Sequence, residues 1–185
     1  MPKIENSQSR IKHLDLGSPD VGAVADVLAA VTDDGTEQTI TTGFTDPPTP
    51  RNVTASTDGT ADDIAAVQVI VNGTNAEGAA ISETLPVFTE NTKTTVVGAK
   101  AFATITSVVI PVHDDTGATT SIGLGNLLGL GVRLSRDTVL AAYFGGVRES
   151  TAPTIAFSAS ALESNTASLD STLDESAVLI DCIED

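Results

Sequence analysis

A chain of 185 residues, 41% of them hydrophobic, is long enough to bury a core in one domain of ordinary size. Nine Lys and Arg residues stand against 25 Asp and Glu residues, and this formal net charge of −16 argues against binding to nucleic acid or to an anionic membrane. Aromatic residues make up only 3%, which disfavours a site that binds sugars or bases by ring stacking.

The first 20 residues show neither a helical nor a strand period and end in the loop signal LGSPD. We therefore predict an extended N-terminal arm over residues 1–20. The arm is slightly basic, whereas residues 149–185 carry eight acids and no Lys or Arg. The charged residues of its first thirteen positions are Lys3, Arg10 and Lys12, against Glu5. Such an arm is suited to dock on an acidic surface, although a solvated tail explains the same residues.

Residues 25–44 predict a β-hairpin whose turn is Asp33-Asp34-Gly35. A helix over residues 21–31 is the alternative, because Ala and Leu favour it. The stretch TDPPTP at 45–50 ends regular structure, since proline lacks the backbone N–H that a helix or sheet needs.

From residue 51 to residue 131 the pattern favours strands throughout, because Thr and Val are frequent and Gly-containing turns recur. Residues 118–131 predict a strand followed by a glycine-rich connection. The other signals are turns at Asp58-Gly59 and Asn72-Gly73, strands in 64–75, 79–88 and 94–112, and a bulge or turn at Gly98.

Residues 132–185 predict a hairpin around Gly145-Gly146, with a helix from Ser135 as the alternative, and two further strands. The fold class is therefore all-β, an antiparallel sandwich or barrel-like domain with an extended N-terminal arm. We expect an arm at 1–20, a main β domain at 21–131, and a segment at 132–185 that completes this domain or forms a small second lobe.

The stretch His113-Asp114-Asp115 is the first candidate for chemistry, as a metal or acid–base site. Neighbouring residues of a strand face opposite ways, so these side chains converge only in a turn. A catalytic zinc site needs three ligands, and His13 is the only other histidine. Asp and Gly are also what a β-turn requires, so we predict a turn here, with a weak Ca²⁺ site and catalysis as lesser alternatives.

Three other motifs receive a structural interpretation. The acids of residues 58–63 lack the EF-hand spacing, and the glycines of 123–131 fit neither dinucleotide nor phosphate-loop patterns. Cys182 is the only cysteine, so the chain cannot form an internal disulfide, which fits synthesis in the cytoplasm. Its neighbours are acids, which would not activate the thiol as a nucleophile. We therefore predict no catalytic, cofactor-binding or metal-binding residue, no cofactor and no enzymatic activity. The first ten residues lack an apolar signal-peptide core.

Whole phrases over roughly residues 40–180 resemble a group of tailed-phage and prophage virion structural proteins. They include PRNVTASTDGTADDIAAVQVIVNGTN, AFATITSVVIPVHDDTGATTSIGLGNLLGL and LSRDTVLAAYFGGVREST. The resemblance implies a virion component and brings no catalytic residues. Within that group, the small, acidic and β-rich character is similar to that of capsid decoration (cement) proteins, which bind the outer shell of the major capsid protein.

These expectations give a specific hypothesis for function. The protein coats the capsid surface of the virion after synthesis in the host cytoplasm, as a homo-oligomer for which a trimer is favoured, without contact to nucleic acid or membrane. The predicted docking residues of the arm are Arg10, Ile11, Lys12 and Leu14. The alternatives are a tail-tube or head–tail joining protein, a fibre module and, in a different class, a metal-dependent hydrolase.

Overall fold

The computed structural model describes residues 11–183, and these residues fold almost entirely as β-strands. Two short 3₁₀ turns, Ala61–Asp63 and Leu162–Ser164, are the helical segments of this part of the chain. Neither has the length or apolar character that crossing a membrane requires. The strands are β1 (Ile11–Asp15), β2 (Leu28–Thr32), β3 (Gln38–Ile40), β4 (Arg51–Gly59), β5 (Ile70–Thr74), β6 (Ala80–Thr84), β7 (Thr95–Phe102), β8 (Thr104–Ile110), β9 (Ala118–Gly129), β10 (Val139–Phe144), β11 (Val147–Arg148), β12 (Thr154–Ala156), β13 (Thr166–Ser168) and β14 (Val178–Ile183).

The strands form three antiparallel sheets. Sheet A has the order β1-β14-β10-β11, sheet B the order β12-β13-β9-β4-β7 with β2 also paired to β9, and sheet C the order β3-β8-β5-β6. One of the sheets curls into a half-barrel, so the predicted all-β, sandwich or barrel-like class is confirmed.

Two hydrophobic clusters hold the sheets together. The first lies between sheets B and C and includes Val53 of β4, Val71 of β5 and Val108 of β8, all fully buried. The second packs the inner face of sheet A, including Leu14 and Ile180, against Leu128 near the end of β9. Because β9 contributes to both clusters, this twelve-residue strand connects the two halves of the core.

Several local predictions are confirmed. Gly145-Gly146 form the turn between β10 and β11, and the two strands pair as predicted. A register shift between β4 and β7 at the level of Gly98 is the predicted bulge. The helices considered at 21–31 and from Ser135 do not form, since the described chain is turn, loop and strand there.

Three local predictions are wrong. Residues 33–37 do form a turn, but β2 pairs with β9 and β3 with β8, so the two strands enter different sheets instead of forming a hairpin. Asn72-Gly73 lie inside β5, and the chain reverses at Asn75–Gly78. The glycine-rich residues 123–129 belong to β9 rather than to a connection after it.

The predicted arm is also part of a sheet where the structure describes it. Ile11 to Asp15 pair in register with Ile183 to Leu179 of β14, so the beginning of the described chain lies in the sheet of the C-terminal segment. A backbone hydrogen bond from Leu16 to Val178 extends this pairing. The second cluster is therefore built from both ends of the described chain.

Candidate functional site

His113, the first candidate for chemistry, lies in the loop between β8 and β9 and is 5% exposed. Its backbone N–H donates to the carboxylate of Asp33 over 2.7 Å. The backbone N–H of Ala65 donates to ring atom Nδ1 over 3.2 Å, so Nδ1 carries no proton. The proton is on Nε2, which donates to the hydroxyl of Thr120 over 2.9 Å.

Both ring nitrogens of His113 are thus occupied by hydrogen bonds of the fold. The ring also lies beside Phe88, with 6.1 Å between the ring centroids. Burial lowers the pKa of His113 below its ordinary value, while the nearby charges of Asp33 and Asp114 oppose that shift. The side chain is therefore a neutral connector that ties the loop after β4 to β9.

The two residues after His113 form the predicted turn. The N–H of Ala118 donates to the carbonyl of Asp115 over 3.3 Å, and the Asp115 carboxylate accepts from the N–H of Thr116 over 2.7 Å. Asp114 contributes its own N–H to the carbonyl of Asp63 over 3.0 Å. The loop at 113–117 is consequently fastened to the loop at 58–63.

The acids of residues 58–63 are placed beside this turn, but they do not converge on a common point. Asp58 meets Lys93 at 2.7 Å, and the hydrogen bond from Lys93 lowers the pKa of the Asp58 carboxyl. Within residues 11–183, no three His, Cys, Asp or Glu side chains are arranged to hold a metal ion.

The glycines of β9 serve close packing, as their sequence predicts. A side chain on Gly125 would overlap the amide group of Asn52 on the neighbouring strand β4. A side chain on Gly123 would overlap the backbone of Ala23 and Val24, which crosses β9 at that point. Only hydrogen fits at these two positions, so this stretch shapes the sheet.

The structure contains polar residues in the core that the sequence did not indicate. Arg51 is fully buried, and its guanidinium donates to the carbonyl of Gly125 over 2.7 Å, to the carbonyl of Asp20 over 3.1 Å and to the side chain of Asn126 over 3.4 Å. Burial lowers the pKa of Arg51, and the charges of Asp20 and Asp26 oppose this. Arg51 therefore joins β4, β9 and the segment before β2.

Asn165 is a second polar residue that is fully buried in the core. Its Oδ1 accepts from the N–H of Leu134 over 3.0 Å and from the N–H of Ser158 over 2.9 Å. Its Nδ2 donates to the carbonyls of Ser158 and Ala161 over 2.9 and 2.8 Å. A strand pattern cannot reveal this residue, because its partners are backbone groups of loops.

The predicted docking residues of the arm lie in different environments. Arg10 is outside the described residues. Ile11 is 57% exposed, and Lys12 is half-buried on the inner side of β1. Leu14 packs into the second cluster and is 7% exposed, so its side chain serves the chain's own core rather than a partner.

The outer side of sheet A carries several exposed apolar residues on neighbouring strands. Directly paired residues of antiparallel strands share a face. The register therefore places Ile11, His13, Asp15, Leu179, Asp181, Ile183, Ala141 and Tyr143 on one side. We call these eight residues the outer face of sheet A.

Apolar side chains on this face flank one hydrogen-bonded pair, His13 and Asp181. Ile11, at one end of the face, is 57% exposed, and Leu179, at the other end, is 40% exposed and pairs directly with the partly exposed Tyr143. The ring of His13 lies 2.5 Å from the carboxylate of Asp181, across the β1–β14 pair. Cys182, by contrast, is buried on the opposite side of β14.

The alternation in β14 is the sequence signal for this face. Val178, Ile180 and Cys182 are buried, whereas Leu179 is exposed and Asp181 is partly exposed. Comparisons of the chain with family models, with curated proteins and with solved structures find no match. The case for function therefore rests on the sequence and on this geometry.

Proposed function

We propose that the chain is a bacteriophage virion structural protein of the capsid decoration type, which binds the outer surface of the major capsid protein shell and stabilises it. The observation that carries this proposal is the outer face of sheet A. Contiguous exposed apolar residues around a polar pair are typical of a protein–protein interface. Ile11, Tyr143 and Leu179 provide that apolar surface in the described chain.

The fold supports a binding role because it presents this face on a fixed platform. β1 and β10 both pair with β14, whose inner residues are anchored in the second cluster. Arg51 and Asn165 fix the loops below by hydrogen bonds. A face held in this way loses little conformational freedom when it binds, which favours affinity.

The docking set follows from the burial of each residue. Ile11 stays in it, whereas Lys12 lies on the inner side of β1 and Arg10 is outside the described residues. Leu14 leaves it, because its side chain is buried in the second cluster. Tyr143 and Leu179 join it from the neighbouring strands. The acidic remainder, with a formal net charge of −16 for the chain, faces outward and keeps coated particles apart.

Binding to capsids that lack the protein tests this proposal. Leu179→Glu replaces an exposed apolar residue on the central strand of this face by a charge, and we expect it to weaken binding by tenfold or more, as about 1.4 kcal/mol of lost interface energy requires. Val97→Glu is the matched control, because Val97 is exposed to a similar extent but lies in β7 of sheet B.

Co-sedimentation of each purified variant with expanded capsids measures the affinity. Wild-type and Val97→Glu proteins bind alike, and Leu179→Glu stays largely in the supernatant. Equal binding of all three would show that the outer face of sheet A is not the docking surface. No binding by the wild type would contradict the decoration role itself.

A further inference from the structure

A hollow of about 300 Å³ lies on the outer face of sheet A, beside the His13–Asp181 pair. Its lining residues are His13, Tyr143, Gly146, Leu179 and Asp181. They come from β1, β10, β14 and the turn between β10 and β11, which the pairing of sheet A brings together. The volume is at the lower end of the range for ligand-binding pockets, which suits a single long side chain of a partner.

Asp181 lines this hollow with a partly buried carboxylate. Its side chain is 20% exposed, whereas the side chain of His13 is 76% exposed. Within residues 11–183, the hydrogen-bond partner of the carboxylate is Nδ1 of His13, at 2.5 Å from Oδ1. Solvent therefore screens the charge of Asp181 less than it screens a charge on an open surface.

The His13–Asp181 pair leaves two hydrogen-bond acceptors available. A carboxylate only accepts hydrogen bonds, so the proton of this contact is on Nδ1 of His13. A neutral imidazole with its proton on Nδ1 has a lone pair on Nε2. The second oxygen of Asp181, Oδ2, accepts no hydrogen bond from residues 11–183. A ligand that fits this pair must therefore bring donors.

The charges around the hollow favour a cation as that ligand. Asp15 lies on the same face of β1 as His13. Arg148 lies opposite Tyr143 on β11, but its guanidinium contacts the carbonyl of Leu140 at 3.5 Å. None of the lining residues is Lys or Arg, in a chain whose formal net charge is −16. A partner with a positive group is therefore attracted to this hollow.

The apolar walls favour a guanidinium over an ammonium group. Tyr143 and Leu179 pair directly on β10 and β14, and a tyrosine ring attracts a cation that lies over its face. The guanidinium is planar and has five donors in a fork, whereas the ammonium group of Lys is a compact and strongly hydrated charge. The methylene groups of an Arg side chain would also cover Leu179.

We propose that the docking partner binds this hollow with an arginine side chain. Its guanidinium donates to the carboxylate of Asp181 and to Nε2 of His13, and it packs on the ring of Tyr143. The inference rests on the proposed function for the identity of the partner, the outer surface of the capsid shell. Recognition of a guanidinium group, by contrast, is a property of this chain alone and is measured without the capsid.

A blocked amino acid is the probe for this recognition. N-acetyl-arginine amide is titrated into the full chain at pH 8.0, and the backbone amide signals are followed by NMR. We expect saturable shifts of the signals of His13, Tyr143 and Asp181, with a Kd of about 1–10 mM. N-acetyl-citrulline amide, which has nearly the same shape without the charge, should bind at least about fivefold more weakly. N-acetyl-lysine amide should also bind more weakly than the arginine probe.

Asp181→Asn tests the residue that carries the charge. The variant keeps an oxygen that accepts from Nδ1 of His13, and we expect it to bind the arginine probe about fivefold or more weakly. Asp15→Asn is the matched control, because it removes a charge from the same face at a residue that does not line the hollow. It should bind the probe as the wild type does. Unchanged dispersion of the amide signals checks that both variants fold.

Three results would overturn the inference. They are equal binding of the arginine and citrulline probes, wild-type affinity of Asp181→Asn for the arginine probe, and shifts that are larger elsewhere in the chain than around the hollow.

Co-sedimentation with expanded capsids separates this inference from the proposed function. We expect Asp181→Asn to bind capsids more weakly than Asp15→Asn, and the arginine probe to compete with the capsid for the wild type. Full capsid binding by Asp181→Asn would overturn the inference and leave the decoration role standing. Probe binding by a wild type that does not bind capsids would support guanidinium recognition and contradict the decoration role.

Discussion

Replacing His113 tests whether the buried imidazole serves the fold. His113→Ala removes the acceptor of the Ala65 N–H and the donor to the Thr120 hydroxyl. Thr120 is fully buried, so water cannot replace the lost partner there. At about 1–3 kcal/mol for a buried polar group left without a partner, the Thr120 hydroxyl alone sets a cost of about 1–3 kcal/mol, before the smaller loss at the partly buried Ala65 N–H and the lost packing on Phe88 are added.

The same residue predicts how stability depends on pH. Burial holds the folded-state pKa of His113 below its ordinary value, whereas the unfolded chain titrates near that ordinary value, about 6.5. Below pH 6.5 the unfolded state therefore binds a proton that the folded state does not. The His113 contribution is complete above pH 6.5 and is lost as the pH falls toward the lowered pKa, at up to about 1.4 kcal/mol per pH unit.

Urea unfolding followed by circular dichroism at pH 7.0, 6.0 and 5.0 measures both effects. His113→Gln is the control variant, because an amide keeps a donor and an acceptor but does not titrate in this range. We expect wild type to lose more stability than His113→Gln between pH 7.0 and 5.0. Equal losses, or a His113→Ala variant within about 1 kcal/mol of wild type, would refute the structural role of this side chain.

Four other outcomes follow from the same geometry. Asn165→Ala should cost about 3–5 kcal/mol in urea unfolding, because it leaves backbone groups of Leu134 and Ser158 unpaired; a cost under about 1 kcal/mol would contradict this. Arg51→Met should cost a similar amount, and Arg51→Lys should not restore it, since Lys lacks the fork that reaches Gly125 and Asp20 together. Gly125→Ala should lower the thermal midpoint, because the added methyl group would overlap the Asn52 amide. An unchanged midpoint would mean that the Asn52 side chain can move aside at little cost in free energy. Calorimetry of the full chain with Ca²⁺ and with Zn²⁺ should give only heat of dilution; saturable heat would reveal a metal site.

Local signals in the sequence account for most of the strands. Asp and Gly residues correctly predicted turns at 33–35, at the end of β4 and at 114–117, because these residue types stabilise the backbone conformations of turns. The Gly145-Gly146 hairpin is local as well, since its two strands are separated by the turn alone. Such elements can be predicted from residues that are close together in the sequence.

Pairing partners are not encoded locally. The turn predicted at 33–35 forms, but its two strands join different sheets, since β2 pairs with β9 in sheet B and β3 pairs with β8 in sheet C. Residues 94–112 look like one continuous strand, yet the chain passes from sheet B to sheet C between Phe102 and Thr104. Neither stretch contains a sequence signal that predicts which sheet its strands join.

The candidate surface was predicted only at its beginning. Ile11 was identified, but the arm hypothesis treated Leu14 as available to a partner, and it is buried instead. The error has a physical cause: β1 pairs with β14, from the far end of the described chain, and pairing buries every second residue. Leu179 and Tyr143 reach the same face only through that pairing.

Arg51 and Asn165 escaped prediction for a different reason. Their residue types are mostly exposed in proteins, and a buried one is tolerated only where specific partners satisfy it. Those partners are backbone carbonyls and N–H groups of distant loops. Both residues show where this chain depends on the exact placement of its loops.

The number of copies per purified particle tests the central claim most directly. If the chain decorates a capsid as proposed, quantitative mass spectrometry of phage particles prepared from the source of its gene should find hundreds of copies, close to the number of major capsid protein subunits. A handful of copies would point to a connector or a fibre, and absence from mature particles would contradict the account.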